Sequence, residues 1–540
     1  MVKHRQDAKA APTAKSGLCG LGALGACVAK SALISLCALS LEARAEPAPP
    51  SVVVILADDL GIGDPGCYNA ASRIKTPNID RLARQGMRFT DAHSPSSVCT
   101  PTRYGLLTGR YAWRTRLQKG VLFGLSAPLI APDRPTVATL LRDRGYRTAC
   151  YGKWHLGLGW AGRTTDEPLL NDGAVDYASP LSDSPLTHGF DAFYGIAGSL
   201  DMAPYTFIDN SRVTALPTDV TGEGGRKGPT APGFKAPDVL PAITRKAEDF
   251  IAERAADAKA GKPFFLYLPL NAPHTPVVPS GAWKREHPLG HYACFVEEVD
   301  GTVGRVLDAI DRNGLGNKTL VLFTSDNGYA PYVGIVTGDE RGAGTGGVKA
   351  LEAQGHFPSG AYRGYKSEAW EGGHRVPFLA RWTGTVQAGA VCDGLLGLND
   401  LYATLAELTG AAVAETAAED SVSFLPLLRG QPARRASLVL HSLNGRFAIR
   451  DGTWKLIACP GSGGYSDKPK RAGAKADKAG LPAVQLYDLA ADPAETKNLA
   501  EQRPEIVARL RALLEKQVAD GRTTPGAPRQ NDVPVQIDKP

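Results

Sequence analysis

The sequence lacks several features that would each indicate a particular class of protein. Its nine cysteines include no C-x-x-C pair, which disfavours a structural zinc site and thioredoxin-like redox chemistry. It contains no internal repeat and no long run of charge of one sign. After residue 45 no segment holds about 20 uninterrupted apolar residues, so we expect no stable membrane span in that part of the chain.

The net charge gives no support for a nucleic-acid partner. The formal charge is +6 at pH 7, but the first 45 residues carry six Lys or Arg against two acids, which leaves +2 for the rest of the chain. Domains that bind nucleic acid usually show a clear basic excess. We therefore expect no nucleic-acid partner.

Residues 1–45 have the pattern of an export signal. A basic leader precedes an apolar stretch, and "ARA" ending at Ala45 is a small-x-small cleavage pattern. The segment "LGAC" (Leu24–Cys27) resembles a lipobox, but the apolar stretch continues past Cys27, which favours a cleaved signal peptide over a lipid anchor. The sequence thus predicts a periplasmic or secreted protein; a disordered tail is the alternative interpretation of this segment.

Strand and helix patterns alternate through most of the chain. The runs "SVVVILADDLG" (51–61), "KPFFLYLPLNAPH" (262–274) and "KTLVLFTSDNG" (318–328) are typical of buried strands, and 291–310 has helical spacing of its apolar residues. This alternation predicts an α/β fold, with a large, mostly parallel sheet sandwiched by helices over residues 46–430. The Gly- and Pro-rich segments 160–186, 209–237 and 331–365 are predicted to be loops.

The pattern changes at about residue 430. Short alternating runs followed by an amphipathic segment at 503–519 predict a smaller C-terminal subdomain, with an antiparallel sheet plus a helix, over 431–520. Residues 521–540 are rich in proline and are predicted to form an extended tail.

Candidate catalytic side chains follow strand after strand. In open α/β sheets the site lies at the carboxyl ends of the strands, so side chains that follow neighbouring strands converge there. The groups in question are Asp58 and Asp59, Lys153 and His155, His274, and Asp326 and Asn327. The sequence therefore predicts one pocket at this edge of the sheet.

The stretch "SVCTPTRYGLLTG" (97–109) contains Cys99 in the motif C-x-P-x-R. With "LADDLG", "GKWHLG", "NAPHTP", "TSDNG" and "GYKSEAWEGGHRVP" in the same order along the chain, it resembles the type I sulfatases, which are formylglycine-dependent, arylsulfatase-like members of the alkaline phosphatase superfamily. The resemblance covers roughly residues 50–505.

The resemblance implies that a maturation enzyme oxidises Cys99 to Cα-formylglycine. The hydrated aldehyde has two hydroxyl groups, of which one attacks sulfur as a covalent nucleophile. The second hydroxyl lets the aldehyde re-form as sulfate leaves, whereas an ordinary serine would keep a stable sulfate ester.

The resemblance also implies a metal site and a set of polar residues around it. Asp58, Asp59, Asp326 and Asn327, together with position 99, would supply oxygen ligands to Ca²⁺; Mg²⁺ fits the same ligand types. Arg103 would hold the hydrated position 99, and Lys153 and Lys366 would bind sulfate oxygens. His155 would accept the proton that releases the intermediate, and His274 would donate a hydrogen bond or a proton to the leaving oxygen.

The resulting hypothesis is a sulfuric ester hydrolase that acts on an aryl sulfate or a sulfated carbohydrate. One alternative is a phosphonate or phosphate ester hydrolase, because related enzymes share the modified cysteine and the metal ligands. The other is a sulfated-glycan-binding protein without activity, which would result if Cys99 remained a thiol. Asp201 or Tyr205 is a candidate contact to a sugar hydroxyl, with loop packing as the alternative.

A first prediction concerns Cys99. Replacing Cys99 with Ala should abolish turnover, because it removes the nucleophile. The fold should stay intact, because the side chain loses only its sulfur atom. Replacing Cys99 with Ser should also inactivate the protein, unless the maturation system of the host accepts serine. Activity assays with circular dichroism as the folding control would test both, and wild-type activity in the Ala variant would refute the assignment.

Overall fold

In the computed structural model, the described residues are 49–162, 175–222, 226–337, 344–467 and 480–539. The predicted signal peptide and the "LGAC" segment lie outside them. The described helices are α1 (Pro77–Gln85), α2 (Cys99–Thr108), α3 (Val137–Asp143), α4 (Val239–Lys259), α5 (Gly290–Arg312), α6 (Gly347–Ala353), α7 (Glu371–His374), α8 (Leu401–Thr409), α9 (Leu425–Leu428) and α10 (Pro504–Ala519). None of them is long and apolar enough to cross a membrane.

The strands of the first half of the chain are β1 (Ser51–Ala57), β2 (Met87–Phe89), β3 (Ala92–His93), β4 (Arg147–Lys153), β5 (Ala192–Ile196), β6 (Ile208–Asp209), β7 (Arg212–Val213), β8 (Asp219–Thr221) and β9 (Gly228–Thr230). Those of the second half are β10 (Phe264–Pro269), β11 (Thr319–Ser325), β12 (Phe378–Arg381), β13 (Ala390–Cys392), β14 (Leu396–Gly397), β15 (Ser437–His441), β16 (Phe447–Asp451), β17 (Trp454–Ile457) and β18 (Gln485–Asp488).

The large sheet has ten strands in the order β13-β2-β12-β11-β1-β10-β4-β5-β6-β7. Its centre is parallel, because β1 pairs in parallel with both β10 and β11, and β4 pairs in parallel with β10 and β5. Antiparallel pairs follow on both sides, at β11-β12 and β5-β6. The predicted α/β fold with a mostly parallel sheet is confirmed.

The central strands are apolar without interruption because helices cover both faces of the sheet. In β1, Val52, Val54 and Leu56 belong to the core shared with α2, α3 and α8. The alternate residues Val53 and Ile55 belong to the core shared with α1, α4 and α5. Each strand therefore contributes to two cores, and its carboxyl end is the place where polar side chains emerge.

The C-terminal region contains a separate antiparallel sheet, β15-β16-β17-β18, as the sequence predicted. Its core includes Leu510 and Leu514 of α10 and also Trp113 and Trp370 from the preceding part of the chain. The predicted limits of the signal peptide, the two regions and the tail stay predictions. Two segments expected to be irregular, 209–237 and 331–365, contain the short hairpin strands β8 and β9 and the helix α6. Elements of this length carry too few residues to show a periodic pattern.

A buried charge network joins the C-terminal sheet to α7 and β3. The carboxylate of Glu371, in α7, is 2.8 Å from Nε2 of His93 and 2.9 Å from Nζ of Lys455, which lies in β17. Lys455 also lies 2.9 Å from Glu495. Burial alone would raise the pKa of Glu371, but Lys455, His93 and Arg375 hold it well below its usual range.

This network predicts that removing a buried lysine destabilises the fold more than removing an exposed one. Lys455→Met removes the cation that two buried carboxylates share and should lower the free energy of unfolding by about 3–5 kcal/mol. The control Lys516→Met removes an exposed pair with Asp520 and should cost less than about 1 kcal/mol. Urea unfolding measures both, and equal effects would contradict the role given to Lys455.

Candidate active site

Cys99 is the first residue of α2, and its side chain is buried at the end of a helix. Val98 before it has extended backbone, and Pro101 lies in the first turn, where the missing N–H costs no helical hydrogen bond. Burial raises the pKa of the Cys99 thiol to about 12, although Lys153 and Lys366 act to lower it. Because the thiolate is the nucleophilic form, the unmodified thiol is poorly suited to attack.

The acidic residues come from two neighbouring strands. Asp58 and Asp59 follow β1, and Asp326 and Asn327 follow β11, so the parallel pairing of β1 with β11 sets them side by side. The backbone N–H of Asp59 donates to Oδ1 of Asp326 over 3.2 Å, and Nδ2 of Asn327 donates to Oδ1 of Asp59 over 2.8 Å. The predicted convergence at this edge of the sheet is therefore seen for these four residues.

Three buried cations compensate the carboxylates. Arg103 Nη2 donates to Asp326 Oδ2 over 2.8 Å. Lys153 Nζ donates to Asp58 Oδ2 over 2.6 Å, and Lys366 Nζ donates to Asp59 Oδ2 over 2.8 Å. 

These partners bear on the roles expected for the cations. Arg103 Nη1 donates to the backbone carbonyl of Lys153 over 2.9 Å, so the hydrogen bonds of Arg103 hold Asp326 and β4 in this structure. Its expected contact to position 99 stays a prediction. Lys366, which only the family resemblance indicated, lies with the others.

Buried ligand atoms of this cluster could hold a divalent cation. The carboxylates of Asp58 and Asp59, the sulfur of Cys99 and the ring of His274 each offer one ligand atom, and these atoms lie within 4.8 Å of one another. Among the described residues, Oδ1 of Asp58 and Oδ1 of Asn327 are buried without a hydrogen-bond partner. Buried acceptors of this kind are costly unless something pairs with them.

The raised pKa of Asp326 also favours a cation site. Burial and the neighbouring Asp58 raise the pKa of Asp326 to about 7. A bound cation would relieve this crowding of negative charge. Carboxylate and amide oxygens are the ligands that hard divalent ions prefer, so the residues that would hold the metal are Asp58, Asp59, Asp326 and Asn327.

The two histidines differ in their bonding. Nε2 of His155 is 2.7 Å from the carbonyl of Leu122 and must donate to it, which leaves Nδ1 as an acceptor without a partner among the described residues. Burial, Lys153 and Arg103 hold the pKa of His155 well below its usual range. His155 is therefore neutral at pH 7 and has the form of a base.

His274 presents Nε2 to the cluster. Its Nδ1 donates to the carbonyl of Thr275 over 2.6 Å, and Nε2 lies 3.6 Å from Oδ2 of Asp59. Burial and Lys366 lower the pKa of His274. To donate through Nε2 the ring must carry both protons. The carboxylates of Asp59 and Asp58 act toward that form, but they do not outweigh the lowering of the pKa of His274 by burial and Lys366.

Two aromatic residues near the cluster had no signal in the sequence. The hydroxyl of Tyr332 accepts from Lys366 Nζ over 3.4 Å, and the rings of Tyr332 and Tyr465 are 5.6 Å apart. Tyr332 lies in a turn, and Tyr465 begins a single 3-10 turn, Tyr465–Asp467. The candidate Tyr205 is not available to a sugar, because its buried hydroxyl donates to the carbonyl of Arg226 over 2.6 Å.

The arrangement fits one class of protein: a hydrolase that handles a tetrahedral oxyanion, with buried ligand atoms that could hold a metal and buried lysines at the carboxyl ends of a parallel sheet. The sequence model of the sulfatase family matches residues 50–411, and the chain belongs to that family. It is an enzyme that hydrolyses sulfuric esters, and family membership implies a metal and a formylglycine modification in general terms.

Individual relatives agree with this assignment. The chain is 34% identical to an N-acetylgalactosamine-6-O-sulfatase of Bacteroides thetaiotaomicron, over 86% of this chain and 92% of the relative. It is 33% identical to human arylsulfatase A, over 90% of each. A structure solved in work on glycosaminoglycan metabolism by bacteroides thetaiotaomicron matches with a TM-score of 0.74 at 33% identity, over 87% of this chain and 99% of the other.

The geometry of His274 predicts a dependence on the leaving group. His274→Gln keeps a polar side chain but cannot deliver an acidic proton, which should lower kcat/KM for an alkyl sulfate by about 100-fold. The loss should be at least tenfold smaller for nitrophenyl sulfate, whose leaving group needs little protonation. The control is His287→Gln, at a half-buried histidine outside the cluster. Equal losses on both substrates would exclude a proton donor at His274.

Proposed function

We propose that the protein removes O-sulfate groups from a sulfated carbohydrate, with a calcium ion and a formylglycine derived from Cys99. The observation that carries the proposal is the buried set of Asp58, Asp59, Asp326 and Asn327 beside Cys99, with Lys153 and Lys366 already bound to two of the carboxylates. The bacterial relative is an N-acetylgalactosamine-6-O-sulfatase, which supports a sugar rather than a simple aryl ester as the substrate.

The state of Cys99 supports its conversion. A thiol that is 2% exposed, with a pKa of about 12, would be almost entirely protonated at neutral pH. Conversion by a formylglycine-generating enzyme would supply a hydrated aldehyde, with one hydroxyl for attack on sulfur and one for release of sulfate. The start of α2 would also place the backbone N–H groups of its first turn next to the charge of the sulfate.

Asp58, Asp59, Asp326 and Asn327 would hold the calcium ion. Its chemistry at this place would be to favour loss of a proton from position 99 and to offset sulfate charge. Calcium fits a site made of oxygen atoms only, where zinc would favour histidine or cysteine ligands.

The remaining residues act directly on the sulfate ester. Lys153 and Lys366 bind the sulfate oxygens and stabilise the charge that develops as the ester bond breaks. The free Nδ1 of His155 accepts a proton, and Nε2 of His274 delivers one to the sugar oxygen. Arg103 keeps Asp326 and β4 in register with this group.

The export signal predicted in residues 1–45 leads us to place the mature enzyme in the periplasm or outside the cell. Sulfated polysaccharides are extracellular substrates, and such a location brings the enzyme to them. The charge and hydropathy of the rest of the chain agree with a protein that acts outside a membrane.

The proposal is tested by sulfate release from defined sulfated sugars, nitrophenyl sulfate and phenyl phosphonate, using protein made with a formylglycine-generating enzyme. Sulfate release from a sugar is expected, with much weaker cleavage of the phosphonate. Mass spectrometry of the peptide that contains residue 99 should find the aldehyde, and dialysis against a chelator should abolish activity until Ca²⁺ is restored. A preference for the phosphonate, or full activity with an unmodified thiol, would overturn the proposal.

A further inference from the structure

One side of the reaction centre is covered by aromatic rings that reach solvent. Tyr332 is 37% exposed, and its ring centroid lies 5.9 Å from Nζ of Lys366. Tyr465 packs edge-on against it, with an angle of 79° between the ring planes. A substrate whose sulfate reaches Lys366 would therefore bring its next atoms against the exposed ring of Tyr332.

A second group of side chains, separate from these two tyrosines, holds an arginine at the protein surface. Arg226 is 44% exposed, and its Nη1 lies 3.3 Å from Oδ2 of Asp201. Its guanidinium carbon lies 5.7 Å from the ring centroid of Phe123. The backbone carbonyl of Arg226 accepts the hydroxyl of Tyr205 over 2.6 Å. An exposed side chain is thus fixed by an ion pair and a ring, and its backbone by a buried hydroxyl.

Both groups connect to residues of the reaction centre. Phe123 follows Leu122, whose N–H donates to Oγ1 of Thr100, next to Cys99, and whose carbonyl accepts from His155. Tyr465 packs against Tyr332, whose hydroxyl accepts from Lys366. Each group is therefore linked by direct contacts to the residues around Cys99.

Stability alone does not account for this arginine. An ion pair whose arginine is 44% exposed contributes little to the stability of the fold. A guanidinium that is both oriented and open to solvent is well suited to bind a carboxylate or a sulfate through two parallel hydrogen bonds. The ion pair with Asp201 is made through Nη1 of Arg226, and the guanidinium carries further N–H donors besides those of Nη1.

We propose that Arg226 binds a second anionic group of a sulfated sugar substrate, while Tyr332 and Tyr465 pack against the sugar ring. This inference rests on the proposed function and specifies its substrate class: a carbohydrate that carries a carboxylate or another sulfate beside the sulfate that is removed. Asp201 is a positioning residue in this arrangement.

The test for Arg226 compares four substrates: nitrophenyl sulfate, a monosulfated N-acetylgalactosamine, its disulfated form, and a monosulfated disaccharide that contains a uronate. Arg226→Met should lower kcat/KM for the disulfated sugar, the uronate disaccharide or both by about 10- to 100-fold relative to the monosulfated sugar. The arm that responds identifies the anion. Arg226→Lys should retain part of the preference, because it keeps the charge and loses the paired donors.

The adjacent exposed cation provides a matched control, Lys227→Met, which should leave the substrate preference unchanged. Equal losses for Arg226→Met on all four substrates, or no loss on any, would overturn the inference. Absence of sulfate release by the wild-type enzyme from every substrate would instead refute the proposed function, so the two failures are distinguishable.

The aromatic part has its own test. Tyr332→Leu removes the ring and should raise KM for the sugars by about tenfold, whereas Tyr332→Phe keeps the ring and should stay close to the wild type. If Phe is as damaging as Leu, the hydroxyl bonded to Lys366 is the important group, and packing of the sugar on the ring is excluded.

Discussion

The structure of the site depends on the balance of buried charge at the carboxyl ends of β1 and β11. Asp58, Asp59 and Asp326 are removed from water, and isolated carboxylates could not be buried there at acceptable cost. Each is compensated by a cation from a different part of the chain: Arg103 from α2, Lys153 from the end of β4, and Lys366 from the loop before α7. The balance therefore requires that three separate elements be correctly docked before the site exists.

Backbone conformation is constrained at the same place. Positive φ angles, which residues other than glycine rarely adopt, occur at Asp59 (67°), His155 (57°) and Ser367 (82°). Ser367 is held from outside the large sheet, because the N–H of Leu443 donates to its carbonyl and the N–H of Tyr465 donates to its hydroxyl. The C-terminal region thus fixes the residue that follows Lys366, and this gives the small sheet a part in shaping the site.

The sequence carried different amounts of information about different parts of the site. The strands around β1, β10 and β11 could be predicted because burial on both faces demands continuous apolar runs, and the polar residues after them then had to share one edge. Lys366 follows no strand and was indicated only by resemblance. Tyr332, Tyr465 and Arg226 could not be predicted, because their positions come from irregular loops in which neither periodicity nor spacing marks a residue that faces the site. The bonds from Arg103 to Asp326 were also not foreseen, since they link residues that are 223 positions apart.

The burial of Cys99 also restricts when a modifying enzyme can reach this residue. Cys99 lies at the start of α2 with 2% of its surface exposed and with Lys153 and Lys366 nearby. In the folded chain, a second protein therefore has no room to bind the segment around Cys99. Under the proposed conversion of Cys99, a modifying enzyme that needs this segment in its own cleft would have to act between synthesis and the docking of α2. Folding and maturation would then be competing processes, and the yield of active molecules would depend on their relative rates rather than on the stability of the finished protein.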